Sequence, residues 1–133
     1  MRAKIKKTRR SLKVATPPKY AALKKIALSL PGAEEVWFHG HPWFNIGSKS
    51  FALFWQERWI FKLPKAQQMM LFDARPQTFI PMRAGRMVWS FVAVENLDTA
   101  ELKDLLIASW RTIAPKTLQA QYGQSATSPK QIR

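Results

Sequence analysis

The chain has 133 residues, no cysteine, 47% hydrophobic residues including eight Phe and six Trp, and a formal net charge of +14. That length suits one domain with short tails, and the lack of cysteine excludes disulfides, thiolate zinc sites and cysteine nucleophiles. No run of about eighteen apolar residues is present to cross a membrane, and the first twenty residues lack the apolar core of a secretory signal, so a cytoplasmic protein is expected.

Charge is unevenly placed. Residues 1–25 carry ten Lys/Arg and no acid, whereas residues 26–115 carry nine basic against eight acidic residues. Within residues 1–15 only Ile5, Leu12 and Val14 stand among Arg2, Lys4, Lys6, Lys7, Arg9, Arg10 and Lys13. So few apolar groups do not offset the entropy of ordering the chain. This stretch is expected to be a flexible basic arm drawn to polyanions, nucleic acid or an anionic membrane surface. Lys dominance and the missing apolar face argue against a mitochondrial presequence.

Beyond the arm, Thr16 before Pro17-Pro18 reads as a helix cap, and Leu23, Ile26, Ala27 and Leu30 recur at helical spacing until Pro31-Gly32. A first helix is therefore expected over about 17–30. Four aromatic and β-branched runs follow, Val36–His39, Trp43–Ile46, Phe51–Trp55 and Arg58–Leu63, separated by Gly40-His41-Pro42, Gly47–Ser50 and Gln56-Glu57. Such spacing predicts an antiparallel meander. In the last run Trp59, Phe61 and Leu63 would face helices, and Arg58, Ile60 and Lys62 a partly wet side.

Pro64 opens a short helix to about Phe72, with Ala66, Met69 and Met70 on one side and Arg75-Pro76 as its stop. A loop with Pro81 and Gly85 then leads to a fifth strand, Arg86–Val94. The last helix carries the clearest local signal. Asp98 and Glu101 make a capping-box pair, Leu97 can staple onto Leu102, and Leu102, Leu105, Leu106, Ser109, Trp110 and Ile113 follow a 3.6 period to Pro115. Residues 116–133 are polar and expected to fray. The predicted architecture is α+β: one antiparallel sheet, a meander of about four strands plus a fifth, with N- and C-terminal helices on one face. The domain is placed at 16–118, the arm at 1–15 and a polar tail at 119–133.

Certain residues in that order resemble the MmcQ/YjbR family of small bacterial proteins. They are Leu30-Pro31-Gly32-Ala33-Glu34-Glu35, Gly40-His41-Pro42-Trp43-Phe44 with Phe51-Ala52-Leu53, the strand Arg86–Val94 with its Trp, and Leu97-Asp98 through Ser109-Trp110-Arg111 to Ala114-Pro115-Lys116. The resemblance spans roughly 20–118. It implies a CyaY-like, double-wing α+β fold and a DNA-binding role inferred from that shape. The stretch Ile80–Arg86 and the arm depart from the family's usual pattern.

Four groups of residues are candidate sites. The arm's Lys/Arg can neutralise phosphates without reading sequence; the bland alternative is a solubilising tail. Arg83 and Arg86 around Gly85, with Arg58 and Lys62, can grip a backbone as a wing or act as solvated charge guarding a sheet edge. His39 and His41, near Trp37 and Trp43, would share a strand face, but no third metal ligand accompanies them. Trp55, Trp59, Trp89, Phe54 and Phe61 can stack bases or fill a core, and Trp110 belongs to a core.

Catalytic signatures are missing. There is no phosphate loop, nucleophile elbow or metalloprotease His pair; Ser48, Ser50 and Ser90 stand apart from a triad, and Glu34-Glu35 fall where a turn is expected. The sequence thus points to a non-catalytic protein without cofactor or metal, binding nucleic acid electrostatically, DNA ahead of RNA, and not a membrane. The alternative is a protein- or small-ligand-binding module with an aromatic groove between sheet and helices.

Overall fold

The computed structural model describes residues 16–123. Helix α1 spans Tyr20–Leu28 and is followed by β1 (Glu34–Phe38), β2 (His41–Ile46), β3 (Lys49–Trp55) and β4 (Arg58–Phe61). Helix α2 (Lys65–Ala74), β5 (Phe79–Ala84), β6 (Met87–Val92), a 3-10 turn at Val94–Asn96 and helix α3 (Thr99–Ile113) complete the order. All strand pairs are antiparallel, in the order β1-β2-β3-β4-β6-β5. The α+β class is as expected, with six strands in place of five.

Tight turns explain the meander. His39 and Gly40 both have positive φ, 51° and 78°, and so do Gln56 and Glu57, 55° and 63°. Two-residue loops of this kind match the right-handed twist of the strands they join. The first turn is therefore His39-Gly40, and His41 and Pro42, expected as turn residues, begin β2. Gln56 and Glu57 adopt the left-handed conformation without being glycine, which costs roughly 1–2 kcal/mol per residue.

The strand missed in the sequence is β5, because Pro81 lies within it. Thr78 accepts a backbone hydrogen bond from Ala93 at 2.8 Å, and Ile80 pairs with Phe91. Alternation then turns the backbone of Pro81 outward, where its lack of an N–H breaks no ladder bond. β5 is an edge strand, the one place a sheet tolerates proline.

The core lies between the sheet and the helices. Phe44, Trp59, Phe61, Phe79 and Val92 from the strands meet Leu23 and Ala27 of α1 and Leu102, Leu106 and Trp110 of α3. A register shift after Phe44 leaves Phe51 as an extra residue on β3, and it too is fully buried. Both core indoles satisfy their N–H groups: Trp59 donates to the Pro18 carbonyl at 2.8 Å and Trp110 to the Pro31 carbonyl at 2.9 Å. The second bond fixes the turn after α1, where Gly32 has φ 77° and a Cβ would stand 2.6 Å from Leu118 Cδ1.

Three local expectations need correction. Thr16 is exposed and does not cap α1; the helix begins after Lys19, itself left-handed at φ 54°, because Pro17 and Pro18 occupy a turn ahead of it. On α2, Ala66, Met69 and Met70 form the exposed side, and the buried residue is Gln68. Its amide accepts from Ser90 Oγ at 2.8 Å and donates to the Val88 carbonyl at 3.0 Å, joining α2 to β6. Finally, residues 116–123 are helical, with Leu118 and Tyr122 packed against the core, so ordered chain continues past 118.

At α3 the capping box forms as its sequence dictates. Glu101 N–H donates to Asp98 Oδ1 at 2.8 Å, Asp98 N–H donates to Glu101 Oε1 at 3.3 Å, and Leu97 and Leu102 are both buried. Asp98→Ala is expected to lower stability by about 1 kcal/mol. Gln68→Ala, which strands the Ser90 hydroxyl and the Val88 carbonyl, should lower it by about 2 kcal/mol. Urea denaturation reads both as lower midpoints at unchanged slope. Glu57→Gly relieves the left-handed turn and is expected to add up to about 1 kcal/mol of stability, read as a higher midpoint.

Candidate nucleic-acid interface

Strand pairing determines what the helix-free side of the sheet presents. Trp43 pairs with Leu53, Leu53 with Ile60, and Ile60 with Phe91, so these four share one side. Trp89 and Met82 pair on the same side, as do Ala84 and Met87. Trp55 follows Leu53 at strand spacing, and Phe38 pairs with His41 at the far edge. Together they line a groove of about 680 Å³. Leu53 and Ile60 form its floor: they are 6% and 1% exposed, although neither belongs to the core under the helices. The side expected to be wet around Ile60 is therefore a second apolar layer, covered by its own rings.

The rings are in mutual contact. Trp43 packs against Phe38 at 4.9 Å and meets Trp55 nearly edge-on at 6.3 Å between centroids. Its indole nitrogen is buried with no hydrogen-bond partner among the described residues. Phe38 and Met87 remain 45% and 43% exposed, so apolar surface is open to solvent at both ends of the groove.

Cations stand over this surface. The Arg58 guanidinium lies 4.6 Å from the Phe91 ring centroid and Lys62 Nζ 5.8 Å from that of Trp89, within the range of cation–π attraction. Arg83 contributes to the lining, and exposed Arg86 follows Gly85 in the β5–β6 turn. No carboxylate lines the groove. Among the described residues, ion pairs join Lys24 to Glu35 and Arg75 to Glu101, and none involves Arg58, Lys62, Arg83 or Arg86.

The structure thus brings Arg58, Lys62 and Arg83, three of the cations singled out in the sequence, to one surface, and leaves Arg86 exposed in the adjoining turn. Arg2, Lys4, Lys6, Lys7, Arg9, Arg10 and Lys13 lie outside the described residues. It also divides the aromatics: Trp55 and Trp89 reach the open side, while Trp59, Phe54, Phe61 and Trp110 are in the core. Trp43, Phe38, Met82 and Met87 were missed as groove residues. For Trp43 the clue was its alternation against Phe44; Met82 was hidden with β5 behind Pro81.

The remaining candidates separate. His39 sits in the turn at positive φ, so it does not share a strand face with His41, and both rings pack near Trp55. Among the described residues no three His, Asp or Glu side chains gather as metal ligands, and no helix is long and apolar enough to cross a membrane. On the helix side of β1, Glu35 accepts a hydrogen bond from the Tyr20 hydroxyl and pairs with Lys24 at 3.2 Å. A hollow of about 590 Å³ opens nearby, lined by Pro18, Tyr20 and Trp37 among others. The large aromatic groove, expected between sheet and helices, is on the opposite side.

A family model described as YjbR matches residues 28–112, from the end of α1 through most of α3. No curated protein and no solved structure matches the chain.

Burial and the neighbouring Glu35 carboxylate hold the Tyr20 phenol above its ordinary value of 10.0. Lys24 is also raised, by its hydrogen bond and attraction to Glu35. A group with raised folded pKa adds stability below its unfolded pKa and loses it as pH climbs through the folded value. The Tyr20–Glu35–Lys24 cluster is therefore intact at neutral pH and weakens above about pH 10. In a Tyr122→Phe background, ultraviolet titration should show one folded-state phenol ionising above 10.0, and Glu35→Gln should move that midpoint down.

Proposed function

The chain belongs to the YjbR family, and from that premise we propose that it is a cytoplasmic, non-catalytic nucleic-acid-binding protein, DNA ahead of RNA, held by charge with little base readout. The observation that carries this reading is the set Arg58, Lys62 and Arg83, three cations without a carboxylate partner among the described residues on the helix-free side of the sheet, with exposed Arg86 in the adjoining β5–β6 turn. Seven further Lys/Arg and no acid occupy residues 1–15. Clustered cations of this kind displace counterions from phosphates and bind independently of sequence. Among the described residues, Ser50 donates to Asn45 at 2.6 Å and Ser90 to Gln68 at 2.8 Å, pairings that suit structural hydroxyls.

A second reading, a small-ligand or protein-binding module, draws on the apolar groove alone. The two readings differ in their response to salt. If the chain contacts about five phosphates, a fourfold rise in salt should weaken duplex DNA binding by several hundredfold, roughly. Fluorescence anisotropy with the full chain and with one beginning at Thr16 measures this. Shortening the chain should weaken binding and flatten the salt slope, and the quadruple Arg58→Gln, Lys62→Gln, Arg83→Gln, Arg86→Gln variant should flatten it further. Absence of binding at low salt would reject the nucleic-acid reading, and salt-insensitive binding would favour the module.

A further inference from the structure

We propose that the helix-free side of the sheet is a stacking platform for unpaired bases, so that the preferred ligand is single-stranded nucleic acid. This inference rests on the nucleic-acid reading above and adds the ligand class and the site. Three features carry it: exposed rings, cations placed beside those rings, and a lining without carboxylates.

The rings come first. Trp55, Trp89 and Phe91 are partly exposed and Phe38 is exposed, all on one side of a six-stranded sheet. At the usual strand spacing the sheet is roughly 24 Å wide from β1 to β5. A surface of that width, rich in π faces, can take several bases in succession, since every base has a π face of its own. In a duplex those faces are hidden within the stack. An aromatic surface therefore gains contacts from a single strand that a duplex cannot supply without unstacking.

Charge selects among the possible occupants. Arg58 over Phe91 and Lys62 over Trp89 place a positive group beside a ring on both flanks of Ile60, and Arg83 and Arg86 add charge where β5 turns into β6. A strand of nucleic acid presents the complementary pattern, a phosphate beside each base. A second copy of the chain, laid face to face, would set these unpaired cations against one another. An uncharged apolar ligand would leave them without a counter-ion. Carboxylates of the same region lie outside this lining: Glu34 begins β1, and Glu57 and Glu95 line a separate hollow that Arg58 and Phe91 also border.

The experiment compares two labelled strands of about twelve nucleotides, oligothymidylate and an abasic oligodeoxynucleotide of equal length and charge, with duplex DNA of the same length. Anisotropy with the full chain at moderate salt should show oligothymidylate binding at least about tenfold tighter than the abasic strand. Intrinsic tryptophan fluorescence should be quenched by the former only. Phe38→Ala, at an exposed position, should narrow the difference by severalfold and Trp89→Ala should narrow it further. Trp37→Ala is the control: Trp37 is 55% exposed but on the helix side of β1, so its loss should leave the difference unchanged. Equal binding of abasic and base-bearing strands, both collapsing with salt, would overturn the platform and leave electrostatic binding standing. No binding of any strand at low salt would remove both. Dimerisation disrupted by Phe38→Ala, with no base effect, would overturn the platform in favour of self-association.

Discussion

Two-residue turns between β1 and β2 and between β3 and β4 leave no chain for a helix to cross over, and this constraint shapes the remainder of the molecule. The helices come from the N-terminal end, from the connection between β4 and β5, and from the chain after β6. All of them settle on the side where Phe44, Trp59, Phe61 and Val92 point. A sheet covered on one side by helices usually turns polar residues to water on the other. Here the other side is aromatic, and its apolar floor at Leu53 and Ile60 is shielded by neighbouring rings.

That arrangement divides the sheet residues between two tasks. Trp59 and Trp110 tie their indole N–H groups to the carbonyls of Pro18 and Pro31 at the two ends of α1, so the core aromatics also position the chain termini of that helix. Gln68 does the same for α2 through Ser90 and Val88. Among the described residues the buried N–H of Trp43, on the open side, has no such anchor.

The fold was legible wherever the signal was local. The capping box of Asp98 and Glu101, the period of α3 and the turn at Gln56-Glu57 are all encoded within a few residues. It was not legible where tertiary position decides the outcome. Proline ordinarily argues against a strand, and only the place of β5 at the sheet edge makes Pro81 acceptable. Likewise Arg58–Leu63 alternates on paper between an apolar and a mixed side, and nothing within the run reveals that rings from β2, β3 and β6 will cover Ile60. Of the site, Arg58, Lys62, Arg83 and Arg86 could be named in advance because exposed charge is a property of the residue. Which tryptophans would share their surface depended on register, which one chain segment alone does not specify.

The outward backbone of Pro81 also has a bearing on how the protein behaves when crowded. A sheet edge is a template for further strands as long as its N–H and C=O groups run unbroken. β5 presents an edge interrupted at Pro81 and bearing Arg83, whereas β1, with Val36, Trp37 and Phe38 exposed, has no proline along its length. Among the described residues, then, the edge at β5 is interrupted and the edge at β1 is not. Of the two edges, β1 is therefore the better template for an added strand.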